Sequence, residues 1–253
     1  MPAKAKQTNQ AGVPNERFTS LDLVPEGEIK LKKSRKKKDE KVDSIPTEIV
    51  CIVDRSGSMD LIKKDAIGGF NSFLKEQKAQ PGEATMTILL FDTEYNFLCS
   101  GKPIKQVEPL NETTFVPRGS TALLDAIGRT VTELKSRDPK KAIIMILTDG
   151  QENSSHEFNK TQIKQMMEDC KTKGWFVAYI SANVDAFDDA QSVGIGRMQT
   201  SSFTPNAQGA HIAHMTASYA TSDYRARGMS GMSNMAVYSA SARKKYDDDK
   251  TYH

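Results

Sequence analysis

Ile49-Val50-Cys51-Ile52-Val53-Asp54-Arg55-Ser56-Gly57-Ser58 is the stretch from which the fold can be read. Five apolar residues in an unbroken run suit a strand covered on both faces, as in a parallel sheet with helices on each side. The run stops at a carboxylate and two hydroxyls, just where a helix should begin. Open α/β sheets bind ligands in that place, in the crevice beyond the carboxyl ends of the strands. All of these groups are hard oxygen donors, which suits Mg²⁺ or Mn²⁺ better than a softer metal.

The pattern repeats along the chain. Helical spacing follows in Ile62, Ala66, Phe70, Phe73 and Leu74, through about Gln77. Met86–Phe91 and Tyr95–Cys99 read as strands of a hairpin around Asp92-Thr93-Glu94. A helix carrying Leu123, Leu124, Ile127, Val131 and Leu134 comes next, then the apolar run Ile143–Leu147, which ends in Thr148-Asp149-Gly150. A helix with Ile163, Met167 and Cys170 and a strand over Phe176–Ile180 follow. A weak helix near Asp185–Val193, a short strand near Gln199–Phe203 and a helix near Asn206–Tyr224 complete the series. Strands alternating with helices predict an α/β fold. It should be Rossmann-like and doubly wound, with a mostly parallel central sheet, one antiparallel edge strand and helices on both faces.

Length and composition set the frame. The chain has 253 residues, enough for one large domain with extensions. A domain of roughly 200 residues buries about 70% of its unfolded surface and needs no disulfide or zinc staple. The three cysteines, Cys51, Cys99 and Cys170, form no CxxC pair and suit buried thiols in a reducing compartment. The N-terminus has no apolar signal region, and no apolar run approaches the ~20 residues that span a bilayer, so a cytoplasmic protein with no membrane contact is expected. Incorporation into a larger particle stays open.

Residues 1–45 are polar and aperiodic and read as a disordered basic arm, residues 46–225 as the folded domain, and residues 226–253 as a flexible tail rich in Gly, Ser and Met. The net charge of +3 conceals the crowding of positive charge between Lys30 and Lys41. That arm suits either a solvated linker or a contact with nucleic acid or an acidic protein. No aromatic residues interleave with its lysines as stacking platforms for single strands.

Two further strand-end segments match the first. Pro117-Arg118-Gly119-Ser120-Thr121 opens the helix bearing Leu123, placing Thr121 in its first turn, and Asp149 closes the run Ile143–Leu147. If Asp54 and Asp149 end neighbouring central strands, Ser56, Ser58 and Thr121 face them from adjacent loops. Two carboxylates and three hydroxyls, with water, complete an octahedral shell for a small hard cation. Other candidates are weaker. His211 and His214, three apart on a helix, lack a third ligand and read as polar surface. Gly194-Ile195-Gly196 lacks the context of a dinucleotide loop. Glu152 and Asn153 would shape the rim of the site, and Trp175 would pack in the core or at a sheet edge.

These three ordered segments resemble the metal-ion-dependent adhesion site of von Willebrand factor A domains, over residues 45–224. The family's Asp-x-Ser-x-Ser falls on Asp54, Ser56 and Ser58, its threonine on Thr121, and its strand-terminal aspartate on Asp149. The resemblance implies direct metal contacts through Ser56 and Ser58, with Thr121 joining in a ligand-engaged state. Asp54 and Asp149 would act largely through water and through hydrogen bonds to the hydroxyl ligands. It implies a noncatalytic module in which Mg²⁺, or Mn²⁺, grips an Asp or Glu of a protein partner. The N-terminus of a helix starting near Met59 would favour that anion. Short intracellular members of this kind occur in bacteria and bacteriophages, some beside AAA+ ATPases and some in larger assemblies. With every site residue accounted for as a ligand, no catalytic residue is assigned. Two alternatives stay in view: a nucleic-acid-associated or virion assembly protein using the basic arm, and a metal-dependent phosphoesterase. The phosphoesterase would want a second acid where Ser56 stands.

Overall fold

The computed structural model describes residues 45–182 and 185–251, so the basic stretch Lys30–Lys41 lies outside the described residues. The strands are β1 (Thr47–Asp54), β2 (Ala84–Phe91), β3 (Tyr95–Pro103), β4 (Ala142–Thr148), β5 (Phe176–Ser181) and β6 (Thr200–Ser202). The helices are α1 (Lys63–Ala79), α2 (Leu123–Arg137), α3 (Lys160–Thr172), α4 (Ala186–Ser192), α5 (Ala207–Arg227) and α6 (Met235–Thr251). The strands form one six-stranded sheet in the order β3-β2-β1-β4-β5-β6. Only the β2–β3 pair is antiparallel. This is the doubly wound α/β architecture with one antiparallel edge that the alternation predicts.

Strand parity divides the core in two, because successive side chains leave a strand on opposite faces. Ile49, Cys51 and Val53 pack with Phe70 and Phe73 of α1 and with Ala213 and Ala217 of α5. Val50 and Ile52 pack on the other face with Ile127 and Val131 of α2 and Ile163 of α3. Ile52 and Ile146 are fully buried, and truncating either to alanine would cost about 2–5 kcal/mol. Trp175 is core, with its indole N–H donated to the Pro139 carbonyl at 2.9 Å.

The chain leaves β1 towards α1 and β2 on one side, while β4 lies against β1 on the other. The topological switch point therefore falls between the carboxyl ends of β1 and β4, with Val53 in register with Leu147. Asp54 and Asp149 follow directly at that edge.

Three local features differ from the sequence expectations. A 3-10 turn, Gly57–Ile62, precedes α1, which starts at Lys63 rather than near Met59. Thr121 precedes α2, whose N-cap is Ala122, so it lies in the loop and not in the first helical turn. The tail is also ordered from Met235: Met235, Tyr238 and Ala242 recur at helical spacing, and their burial holds α6 in place. Gly/Ser/Met composition concealed that stripe.

Candidate metal centre

Asp54 is completely buried at the end of β1. Its Oδ1 accepts the Ser56 backbone N–H at 2.7 Å, and its Oδ2 accepts the Thr148 hydroxyl at 2.5 Å. Thr148 Oγ1 in turn accepts the Gly150 N–H at 3.2 Å, so β4 braces the carboxylate that ends β1. The Ser56 and Ser58 hydroxyls lie 3.1 Å apart, and Ser58 donates to Asp149 Oδ1 at 2.7 Å. Thr121 completes the group: a Cβ built on Gly150 would stand 3.0 Å from Thr121 Oγ1 and 3.9 Å from Ser58 Oγ. Two of the three hydroxyls thus face one small space that glycine leaves open. The fold brings all five sequence-predicted residues together.

The loops carrying them are cross-tied. Gly57 donates to the Gly119 carbonyl at 3.2 Å, and Arg118 donates to the Arg55 carbonyl at 2.9 Å. Gly119 has φ 64°, and a Cβ there would come within 2.9 Å of Thr93 Oγ1, so this turn requires glycine. Asn153 clamps Thr121 from both sides, with its Oδ1 accepting the Thr121 N–H at 2.9 Å and its own N–H donated to the Thr121 carbonyl at 3.0 Å. Glu152 accepts the Leu124 N–H at 2.9 Å, taking one of the orphan donors of α2. Both rim residues therefore do identifiable work behind the site.

Electrostatically the site is short of positive charge. Burial pushes Asp54 up to about 6, with Asp149 adding to the rise against hydrogen bonds from Thr148 and Ser56. Burial also raises Asp149, opposed by the Ser58 hydroxyl. Among the described residues no basic side chain bonds either acid, and Arg55, which follows Asp54, turns instead to Asp92 at 2.8 Å. Two carboxylates that burial holds towards neutrality, beside three hydroxyls and the gap at Gly150, fit a small hard cation. Among the described residues there is no group of three or more His, Cys, Asp or Glu suited to a metal. A softer or all-carboxylate site is thus not what these residues offer.

The histidine pair separates. His214 is buried rather than surface-exposed: its ring lies over Gly69 of α1, Nδ1 is 2.8 Å from the Ala210 carbonyl, and burial lowers it to about 4. His211 instead meets the Tyr246 ring of α6 at 5.3 Å between centroids. The residue that sequence reading missed is Asp92. It was legible only as a turn residue after Phe91, although β2 ends at the same sheet edge as β1.

No protein-family model and no curated protein matches the sequence. Solved structures do match in fold. The pilus adhesin SpaC from Lactobacillus rhamnosus GG aligns with TM-score 0.56 at 13% identity, covering 72% of this chain and 31% of that one. The PilB minor pilin from Streptococcus sanguinis gives 0.51 at 12% identity, covering 73% and 63%. A von Willebrand factor type A structure from Catenulispora acidiphila gives 0.50 at 12% identity, covering 70% and 43%. The chain spans less than two thirds of each of these proteins. At such identities the likeness concerns the fold, which is the Rossmann-like α/β fold of von Willebrand factor A domains. Among the described residues, no helix is long and apolar enough to cross a membrane.

Proposed function

We propose that this chain is a noncatalytic, metal-dependent protein-binding module. Asp54, Ser56, Ser58, Thr121 and Asp149 would hold Mg²⁺, or Mn²⁺, for a carboxylate of a partner. The observation that carries the reading is the pair of buried or half-buried acids at the switch point with no basic partner among the described residues, facing three hydroxyls. When bound, the cation supplies a Lewis-acidic position for an anionic oxygen. The protein's own residues do the rest. Ser56 and Ser58 offer neutral oxygens, which leave the cation's charge largely unquenched, and Asp149 orients the Ser58 hydroxyl. Thr148 fixes the Asp54 carboxylate, and Asn153 fixes the backbone at Thr121. Ser56 stands where a phosphoesterase of this layout would want a second acid, which favours binding over hydrolysis.

The test is affinity capture from host lysate by the full chain, in Mg²⁺ or in EDTA, alongside the Asp149→Ala variant. A partner retained by wild type in Mg²⁺, and lost both in EDTA and in the variant, is the expected result. Capture indifferent to EDTA but lost on deleting residues 1–45 would overturn it and move binding to the Lys30–Lys41 arm.

A further inference from the structure

Asp92, at the turn between β2 and β3, is fully buried and receives both arginines that border the site segments. Arg55 Nε donates to Asp92 Oδ2 at 2.8 Å, and Arg118 Nε donates to the same oxygen at 3.0 Å. Arg55 lies between Asp54 and Ser56, and Arg118 stands three residues before Thr121. The other polar atoms of Asp92 are engaged too. Its Oδ1 accepts the Glu94 N–H at 2.6 Å, and its carbonyl accepts the Ala122 N–H, next to Thr121, at 3.0 Å. The Arg55 N–H is donated to Phe91, the residue before Asp92, at 2.8 Å. One short turn thus holds both loops, which come from distant parts of the sequence.

We infer that Asp92 is a positioning residue for the metal centre: it fixes the Asp54–Ser58 and Arg118–Thr121 loops against each other and keeps both guanidiniums turned away from Asp54 and Asp149. Its consequence for metal binding rests on the reading given above, while the loop coupling stands on the hydrogen bonds alone. The charge logic has two parts. Arg55 is only 7% exposed in its side chain, so without Asp92 a buried guanidinium would lack its carboxylate. Asp54, the acid next to Arg55 in the sequence, is one that must stay available to a cation. Arg118, at 48% side-chain exposure and also bonded to Glu94, is the looser arm of the clamp.

The experiment uses the full chain and Asp92→Asn, which keeps the shape and removes the charge. Hydrogen exchange on metal-free protein should show amides of residues 55–58 and 118–122 exchanging faster together, with β4 and β5 unchanged. Mn²⁺ calorimetry well below Tm should show affinity weaker by about ten- to hundredfold, the usual cost of losing a partner that orients ligands. A residue that only stabilised the fold would lower Tm and move neither readout selectively. Should Asp92→Asn not fold, Arg118→Gln removes the half-exposed arm alone and should loosen residues 118–122 more than 55–58. If wild type binds no Mn²⁺, the metal reading fails and the exchange data still decide the clamp. Unchanged exchange in both loops, or Mn²⁺ affinity unchanged in a variant whose wild type binds, overturns the inference.

Discussion

The central strand β1 carries a buried acid at each end, and the two are treated in opposite ways. At the amino end Glu48, 5% exposed, meets the Arg137 guanidinium at 2.7 Å and accepts the Thr85 and Thr87 hydroxyls at 2.9 and 2.6 Å. At the carboxyl end Asp54, wholly buried, accepts from an amide and a hydroxyl and feels the charge of Asp149, while Arg55 and Arg118 are taken by Asp92. Glu48 is neutralised from within the chain and serves the fold. Asp54 and Asp149 are left needing positive charge, which suits a site that takes a cation from solution. Burial of an acid is therefore no sign of function by itself; what distinguishes the ends is who supplies the counter-charge.

The contrast can be broken first at its structural end. Glu48→Ala removes the buried acceptor shared by Arg137, Thr85 and Thr87, while Arg137 keeps Glu133 at 2.7 Å. The loss should be about 3–4 kcal/mol by urea denaturation, with divalent-metal affinity unchanged. The next effect is acid loss through His214. The unfolded ring takes a proton near 6.5 and the folded one only near about 4. Unfolding therefore gains a proton in that window, and stability falls as pH drops through it. The loss should reach about 3 kcal/mol by pH 4 and should shrink in His214→Leu, as followed by urea titrations at several pH values. Smaller again is Asp54→Ala in EDTA. It removes an acid without a basic partner and leaves the Ser56 N–H without its acceptor, while the Thr148 hydroxyl keeps the Gly150 carbonyl at 3.1 Å, so about 1–2 kcal/mol is expected. A loss as large as that of Glu48→Ala would erase the distinction between the two ends. Smallest is Asn153→Ala, which unclamps Thr121; stability should change by about 1 kcal/mol, with a measurable fall in metal affinity.

Much of this was legible in the sequence because the signals are local. The apolar runs Ile49–Val53 and Ile143–Leu147 are strands, and the donors at their ends share one sheet edge as expected. Less legible were features set by distant residues or by weak periodicity. The Arg55–Asp92 and Glu48–Arg137 pairs join residues 37 and 89 positions apart, beyond any spacing rule. His214 read as surface because its neighbour Gly69, on another helix, is what makes room for its ring. The α6 stripe of Met235, Tyr238 and Ala242 was masked by polar residues on its other faces. The 3-10 turn after Ser56 lacks a side-chain cap, so no residue marked its boundary.

The most direct test of the central claim is calorimetric titration of the full chain with Mn²⁺, beside Asp54→Ala and Glu48→Ala. Saturable one-site binding in wild type, kept in Glu48→Ala and lost in Asp54→Ala, is the predicted result. Binding that survives in a folded Asp54→Ala variant, or no binding in wild type, would contradict the claim that the carboxyl edge of β1 takes its counter-charge from solution.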